Sequence, residues 1–224
     1  MKSPFLIAVV VVVVALLAYG LYQGLHVAPT DEKMGDVQRI FYYHVPSAWT
    51  AFLLFFVNFL ASTWYLFKRT SVPDAVAVTT AEVGVVFCTV VLITGPIWAR
   101  PVWGIWWTWD TRLTSTLVLW LVYVSYLMLR RFTAGGQTPI LAAVLAVFGF
   151  AVVPFVYLSI WYFRTQHPQP VIGGGGSIYP TMLHALLWNW LAILALAGLL
   201  CWLRYHLERK QRGIEETLAL EALI

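Results

Sequence analysis

Charged side chains are scarce in this sequence: they make up 11% of its 224 residues, whereas hydrophobic residues make up 61%. Soluble domains carry roughly a quarter charged residues, so the composition excludes a protein that is surrounded by water on all sides. Six apolar runs each approach the roughly 20 residues that a helix needs to cross a bilayer. They cover residues 5–22, 47–67, 75–97, 114–129, 139–161 and 181–203.

These runs predict an all-α integral membrane protein in which residues 1–203 form one domain of six transmembrane helices. The first run follows Lys2 as in a secretory signal, but it is too long and lacks a small-x-small cleavage site. We therefore expect a retained helix. Residues 204–224 alternate charges with Leu and Ile at helical spacing. This tail is expected to form a short cytoplasmic amphipathic helix on the membrane or against a partner.

Several motifs are missing. The only cysteines, Cys88 and Cys201, fall inside apolar runs, and no Cys-x-x-Cys redox spacing occurs. No GxxxxGK[ST] sequence is present, which excludes ATP hydrolysis by a P-loop mechanism in this chain. The four glycines at 173–176 lack the lysine of a phosphate-binding loop, so we interpret them as a flexible linker.

Basic residues are distributed unequally between the two sides that six spans define. Nine of the 14 lysines and arginines fall on the side of the termini, and five fall on the other side. The positive-inside rule therefore predicts cytoplasmic termini and places the longer loops, 26–43, 98–113 and 162–180, on the outer face. The net charge of +4 follows from this topology and suits anionic membrane lipid; it does not indicate binding to nucleic acid.

Tryptophans are concentrated in one outer loop. On a helix, Trp103, Trp106, Trp107 and Asp110 would fall at positions i, i+3, i+4 and i+7, with Trp109 beside them. This spacing predicts an amphipathic helix along the outer membrane interface. Two interpretations stay open: the indoles form part of an aromatic belt, or they form a platform for a ligand.

A ligand that suits such a platform is a flat apolar ring with anionic groups at its edge. Its ring would stack on the indoles, and its anions would face the arginines of the same side, Arg39, Arg100 and Arg112. Heme has this form, and its iron also needs axial ligands, which histidine supplies most readily.

Four of the five histidines lie on the outer side: His26, His44, His167 and His184. His44 precedes Pro46 and suits the first turn of the second span. His167 lies just beyond the fifth span, again after aromatic residues. His184 begins the last apolar run, and no run offers a histidine at depth. Imidazole ligation from both faces of the ring would disfavour oxygen chemistry, so carriage is expected rather than catalysis.

Three stretches carry a family resemblance: RIFYYHVPSAW at 39–49, LITGPIWARPVWGIWWTWDTRLTS at 92–115 and SIWYFRTQHP at 159–168. Together they resemble the heme-handling family with the tryptophan-rich WWD domain, over residues 25 to about 203. The chain length, six spans and His-Val-Pro motif are similar to the CcmC group of the cytochrome c maturation (System I) pathway. The larger CcmF and CcsA relatives carry more spans and histidines inside the membrane.

The resemblance implies that two external histidines ligate the heme iron while the WWD segment, residues 98–115, holds the edge of the ring. The histidine before Val-Pro matches His44, and the second ligand matches His167, with His184 as the alternative. The cargo would be heme b, bound non-covalently and transiently in the bacterial inner membrane. It would pass to the periplasmic chaperone CcmE, with CcmA, CcmB and CcmD completing the complex. Arg100 stands where the family pattern has lysine.

The roles of three charged residues, Asp110, Arg112 and Glu82, each allow two interpretations. Asp110 and Arg112 either form a local salt bridge or shape a docking surface for a partner. Glu82, a carboxyl group within the third span, is either hydrogen-bonded locally or faces another subunit. Two alternative functions are an electron-transferring b-type heme subunit and a structural assembly subunit without heme.

Overall fold

The computed structural model describes residues 4–133, 137–170, 172 and 177–222 of the chain. The four glycines at 173–176, interpreted above as a linker, lie outside the described residues. Six helical segments are long and apolar enough to cross a membrane, which confirms the predicted architecture. The helices are α1 (Pro4–Tyr22), α2 (Phe41–Lys68), α3 (Ser71–Trp103), α4 (Thr111–Phe132), α5 (Thr138–Gly149), α6 (Val152–Tyr162) and α7 (Pro180–Glu221).

The second spanning segment starts earlier than its apolar run. A 3₁₀ turn, Asp36–Ile40, leads directly into α2 and makes one helical segment, Asp36–Lys68. His44 lies in the first turn of α2, as predicted. Because helices continue into polar sequence, His44 and His184 fall within the bounds of spanning segments, each near the start of its α-helix. The expectation that no histidine lies at depth within a span stays a prediction.

The fifth span consists of two helices, α5 and α6, separated by Phe150 and Ala151. Pro154 lacks the N–H that would bond to the carbonyl of Phe150 in a continuous helix, which accounts for the break. Close contact between α5 and α4 depends on Gly149, since a Cβ there would lie 2.5 Å from a methyl carbon of Val122.

The core at mid-bundle lies where α2, α3 and α4 meet. Phe55 of α2 stacks on Tyr123 of α4 at 3.7 Å between ring centroids. A Cβ at Gly84 of α3 would lie 2.7 Å from the Phe55 ring, so only glycine permits this approach. Cys88, also in this core, is a buried free thiol, as expected for a small packing residue.

The last helix, α7, runs for 42 residues without a break. Its length of about 63 Å is roughly twice the hydrocarbon thickness of a bilayer. Residues 204–221 therefore continue the sixth span and do not form the separate tail helix that was predicted. Whether this extension meets lipid or a partner stays a prediction.

Ion pairs fasten the extension of α7 to α3 and α4. Asp74 of α3, 3% exposed, accepts two 2.7 Å hydrogen bonds from Arg130 and one of 2.8 Å from Arg212. Glu82 pairs with Arg204, which donates to it at 2.9 Å. The carboxyl group of Glu82 is thus paired within the chain, as a carboxylate in a span requires, and contact with another subunit stays a prediction.

Candidate functional site

A cavity of about 890 Å³ opens where the ends of α2, α3, α4, α6 and α7 meet the loops between them. Cofactor and ligand sites have volumes of roughly 300–1,000 Å³, so the cavity is large enough for a substantial ring system. Both polar side chains and apolar side chains such as Phe52 line it. Among its lining residues are His44, Trp98, Trp103, Trp107, Arg112 and His167.

His44 is held against α3. Its Nδ1 lies 2.8 Å from the hydroxyl oxygen of Thr94, and its ring meets Trp98 edge-on at 5.9 Å between centroids. The Thr94 hydroxyl donates its proton to the carbonyl of Val90 at 2.7 Å, so its oxygen accepts from His44. His44 thus carries its proton on Nδ1, and the lone pair of Nε2 is not used by any described residue.

His167 lies in the loop after α6. Its Nδ1 is 2.9 Å from the carbonyl oxygen of Pro168, and a carbonyl only accepts. His167 therefore also carries its proton on Nδ1 and keeps a free lone pair on Nε2. Burial and the nearby positive charge of Arg112 lower the pKa of His167 to about 4, so the ring is neutral at physiological pH. A neutral imidazole is the form that binds a metal.

The other two candidate histidines do not line this cavity. Nε2 of His184 accepts a hydrogen bond from the indole N–H of Trp188 at 2.9 Å, which uses its free lone pair. His26 lies beside Tyr22, 5.7 Å away between ring centroids. The fold thus brings together His44 and His167 and leaves His26 and His184 outside.

The tryptophan segment is not a helix, contrary to the prediction. Helix α3 ends at Trp103 because Gly104 adopts a left-handed conformation with φ of 78°, and residues 104–110 are irregular. The predicted single stripe is therefore divided. Trp103 and Trp107 line the cavity, whereas Trp106 and Trp109 are 59% and 76% exposed.

Asp110 joins two parts of the site. It caps α4 by accepting from the backbone N–H of Leu113 at 2.9 Å. Its other carboxylate oxygen accepts from the Thr165 hydroxyl at 3.0 Å, and Thr165 in turn accepts from the backbone N–H of His167 at 3.1 Å. No ion pair between Asp110 and Arg112 occurs within the described residues, so the salt-bridge interpretation is wrong.

Arg112 differs from the other two candidate arginines. It lines the cavity, and its guanidinium lies 3.4 and 3.5 Å from the carbonyls of Val156 and Tyr157. Within the described part of the chain, no carboxylate pairs with it. This cation is therefore available to an anionic group of a ligand.

Arg39 and Arg100 do not line the cavity. Arg39 donates to the carbonyls of Gly24 and Ala28 at 2.9 and 3.2 Å and to Asp36 at 3.0 Å, which fixes the loop before α2. Arg100 bonds to the carbonyl of Gly104 at the end of α3. Both arginines thus form hydrogen bonds to backbone carbonyls outside the cavity.

Sequence reasoning missed three residues at this site. Lys33 lines the cavity as a second cation, and Thr94 and Thr165 bond to the two histidines. The position of Thr165 could have indicated its role, because a threonine hydroxyl can bond to the backbone two residues further on, though more weakly than Asn or Asp. No pattern around Thr94 could have indicated its role, since its partner His44 lies 50 positions away in the sequence.

Comparisons with known proteins show the family of this chain. The family model described as "Heme exporter protein C" matches residues 1–219. "Heme exporter protein C" of Bradyrhizobium diazoefficiens is 36% identical over 214 residues, or 94% of this chain and 78% of the relative. The protein of the same name from Escherichia coli K12 is 31% identical over 211 residues, or 92% and 86%. A putative cytochrome c biosynthesis ccmC-like mitochondrial protein of Marchantia polymorpha is 32% identical over 169 residues, or 75% and 72%.

Proposed function

Since this chain belongs to the heme exporter protein C family, we propose that it binds heme between His44 and His167 and delivers it for cytochrome c maturation. The family description and the names of the relatives support the role in heme delivery. The six spanning helices fit a multi-pass protein of the bacterial inner membrane.

One observation carries the ligand assignment: two histidines line one cavity, and each has its Nε2 lone pair free. Heme iron accepts one such nitrogen on each face of the ring. The pair would fill both axial positions and leave none for oxygen, which suits a cargo that is carried and released.

The cavity wall supports a division of roles among the remaining residues. Trp103 and Trp107 would contact the porphyrin, and Arg112 would pair with a propionate, because it is the predicted arginine that lines the cavity. The cargo would be heme b, since no cysteine accompanies the histidines in a covalent attachment motif. Asp110 would act indirectly, through the loop that carries His167.

Orientation and partners follow from the sequence and the resemblance. We infer that the cavity faces the periplasm and the extension of α7 faces the cytoplasm, because basic residues are concentrated on the side of the membrane that holds the termini. The chaperone CcmE would receive the heme, and CcmA, CcmB and CcmD would complete the complex. ATP hydrolysis would belong to a partner, since this chain lacks a P-loop sequence.

The ligand assignment is tested with purified protein in detergent. Oxidised and reduced spectra are recorded after heme loading for the wild type and for His44→Ala, His167→Ala and His184→Ala. We expect a low-spin spectrum in the wild type and His184→Ala, and its loss or change in the other two variants. A wild type that takes up no heme would refute the proposal. Loss in His184→Ala with retention in His167→Ala would refute the choice of ligands.

Delivery is tested by mixing the heme-loaded protein with purified CcmE and following the heme by absorbance after separation. Transfer to the chaperone is the expected result. A heme that stays on this chain and only cycles between oxidation states would instead favour the electron-transfer alternative.

A further inference from the structure

We propose that Thr94 is a positioning residue that fixes His44 in the Nδ1–H tautomer, so that Nε2 faces the cavity as the donor to heme iron. This inference rests on the proposed function. It concerns a side chain on α3 that does not itself line the cavity.

The direction of the hydrogen bonds carries the inference. Thr94 has a single hydroxyl proton, and we assign it to the bond with the carbonyl oxygen of Val90, 2.7 Å away, because a carbonyl can only accept. The hydroxyl oxygen can then only accept from Nδ1 of His44, 2.8 Å away. The two hydrogen bonds, from His44 to Thr94 and from Thr94 to Val90, have one direction only, because the carbonyl of Val90 has no proton to donate.

The same turn of α3 also orients the ring. Trp98 meets the imidazole edge-on, and Gly95 leaves room for it, since a Cβ there would lie 3.5 Å from Cε1 of His44. With Nδ1 tied to Thr94, rotation of the ring would break that bond and turn Nε2 away from the cavity. One hydrogen bond therefore sets both the tautomer and the direction of the lone pair.

The chemistry of the partner matters as well. A hydrogen bond at Nδ1 raises the basicity of a ligating imidazole, and loss of such a partner typically weakens metal binding about 10- to 100-fold. A neutral hydroxyl withdraws the Nδ1 proton less than a carboxylate would, so the ligand stays a neutral imidazole. His167 bonds to the backbone at Pro168, so among the two histidines only His44 has a side-chain partner that a substitution can change.

The test compares Thr94→Val, which removes the hydroxyl at similar volume, with Thr94→Ser, which keeps it. Thr89→Val is the matched control. Thr89 lies on the same helix, donates to the carbonyl of Val85 at 2.7 Å and accepts from the ring N–H of Trp120 at 2.8 Å, away from the cavity. A general effect of removing such a hydroxyl from α3 would appear in both valine variants.

The first measurement needs no heme. The full-length protein is labelled with ¹⁵N in its histidine rings, of which there are five, and the signals of His44 are assigned by their loss in His44→Gln. We expect a protonated Nδ1 and an unprotonated Nε2 for His44 in the wild type, Thr94→Ser and Thr89→Val. Thr94→Val should give a mixture of tautomers.

The second measurement is heme affinity and reduction potential. Thr94→Val should bind heme about 10- to 100-fold more weakly and at a higher potential, with Thr94→Ser close to the wild type. Thr94→Val with a wild-type tautomer and wild-type affinity would overturn the inference, provided that His44→Ala loses heme. If the wild type binds no heme, the proposed function fails, and the ¹⁵N spectra still decide whether Thr94 sets the tautomer.

Discussion

Asp110 offers the sharpest perturbation, because its carboxylate holds two parts of the site at once. One oxygen caps α4 at Leu113, and the other accepts from Thr108 and Thr165 at 3.2 and 3.0 Å. Loss of an Asp cap costs ~0.5–2 kcal/mol, and a hydrogen bond to a charged group contributes ~1.5–3 kcal/mol. Since Asp110 is half-buried, the lower values apply, and with one cap and two such bonds Asp110→Ala should lower the free energy of unfolding by about 3.5 kcal/mol.

The effect on heme affinity depends only on the hydrogen bonds that link Asp110 through Thr165 to the backbone of His167, here called the tether. Thr165→Val removes the bond that connects Asp110 to the loop of His167 and leaves the cap of α4 intact. If a loss of ~1.5 kcal/mol falls entirely on the bound state, heme affinity drops about tenfold. Asp110→Asn should retain the cap of α4, because Asn caps a helix as well as Asp, but it should lose the bonds from Thr108 and Thr165, which an amide nitrogen cannot accept.

The assays are thermal unfolding of the apoprotein and heme titration followed by absorbance. Thr165→Ser, which keeps the hydroxyl, serves as the control and should match the wild type in both. Wild-type heme affinity in both Asp110→Ala and Thr165→Val would refute the reasoning, since His167 would then be positioned without the tether.

Folding lowers the pKa of His167 to about 4, so the unfolded chain binds a proton at this ring more readily than the folded chain does. The stability of the apoprotein should therefore be full above pH ~6.5 and fall as the pH drops towards 4. Unfolding measured at a series of pH values checks this. Arg130→Met leaves the buried Asp74 short of two hydrogen bonds and should cost ~3–5 kcal/mol, with partial recovery when Asp74→Asn is added. Trp107→Ala should weaken heme binding in titrations of the isolated chain, whereas Trp106→Ala, at an exposed position, should not.

The six spans could be predicted from the sequence because a transmembrane helix requires only a local property, about 20 consecutive apolar residues. The ends of the spans could not, since helices continue into polar sequence wherever their backbone bonds persist. Helix α7 continues through Arg204, whose guanidinium donates to Glu82, 122 positions away. No local pattern around either residue indicates that pairing.

At the site, the sequence by itself identified His44 and His167 as candidates, through motif spacing and resemblance. Tertiary structure decided which side chains reach the cavity: Arg112 lines it, whereas Arg39, chosen for its charge and side alone, holds backbone. The tryptophan segment was also mispredicted, because its helical spacing requires α3 to continue beyond Trp103, where Gly104 ends it. The sequence around Asp110 left its role undecided, and the structure shows that it accepts a hydrogen bond from Thr165, 55 positions away. Residue type and spacing are local, but the partner of a polar group depends on how the helices pack.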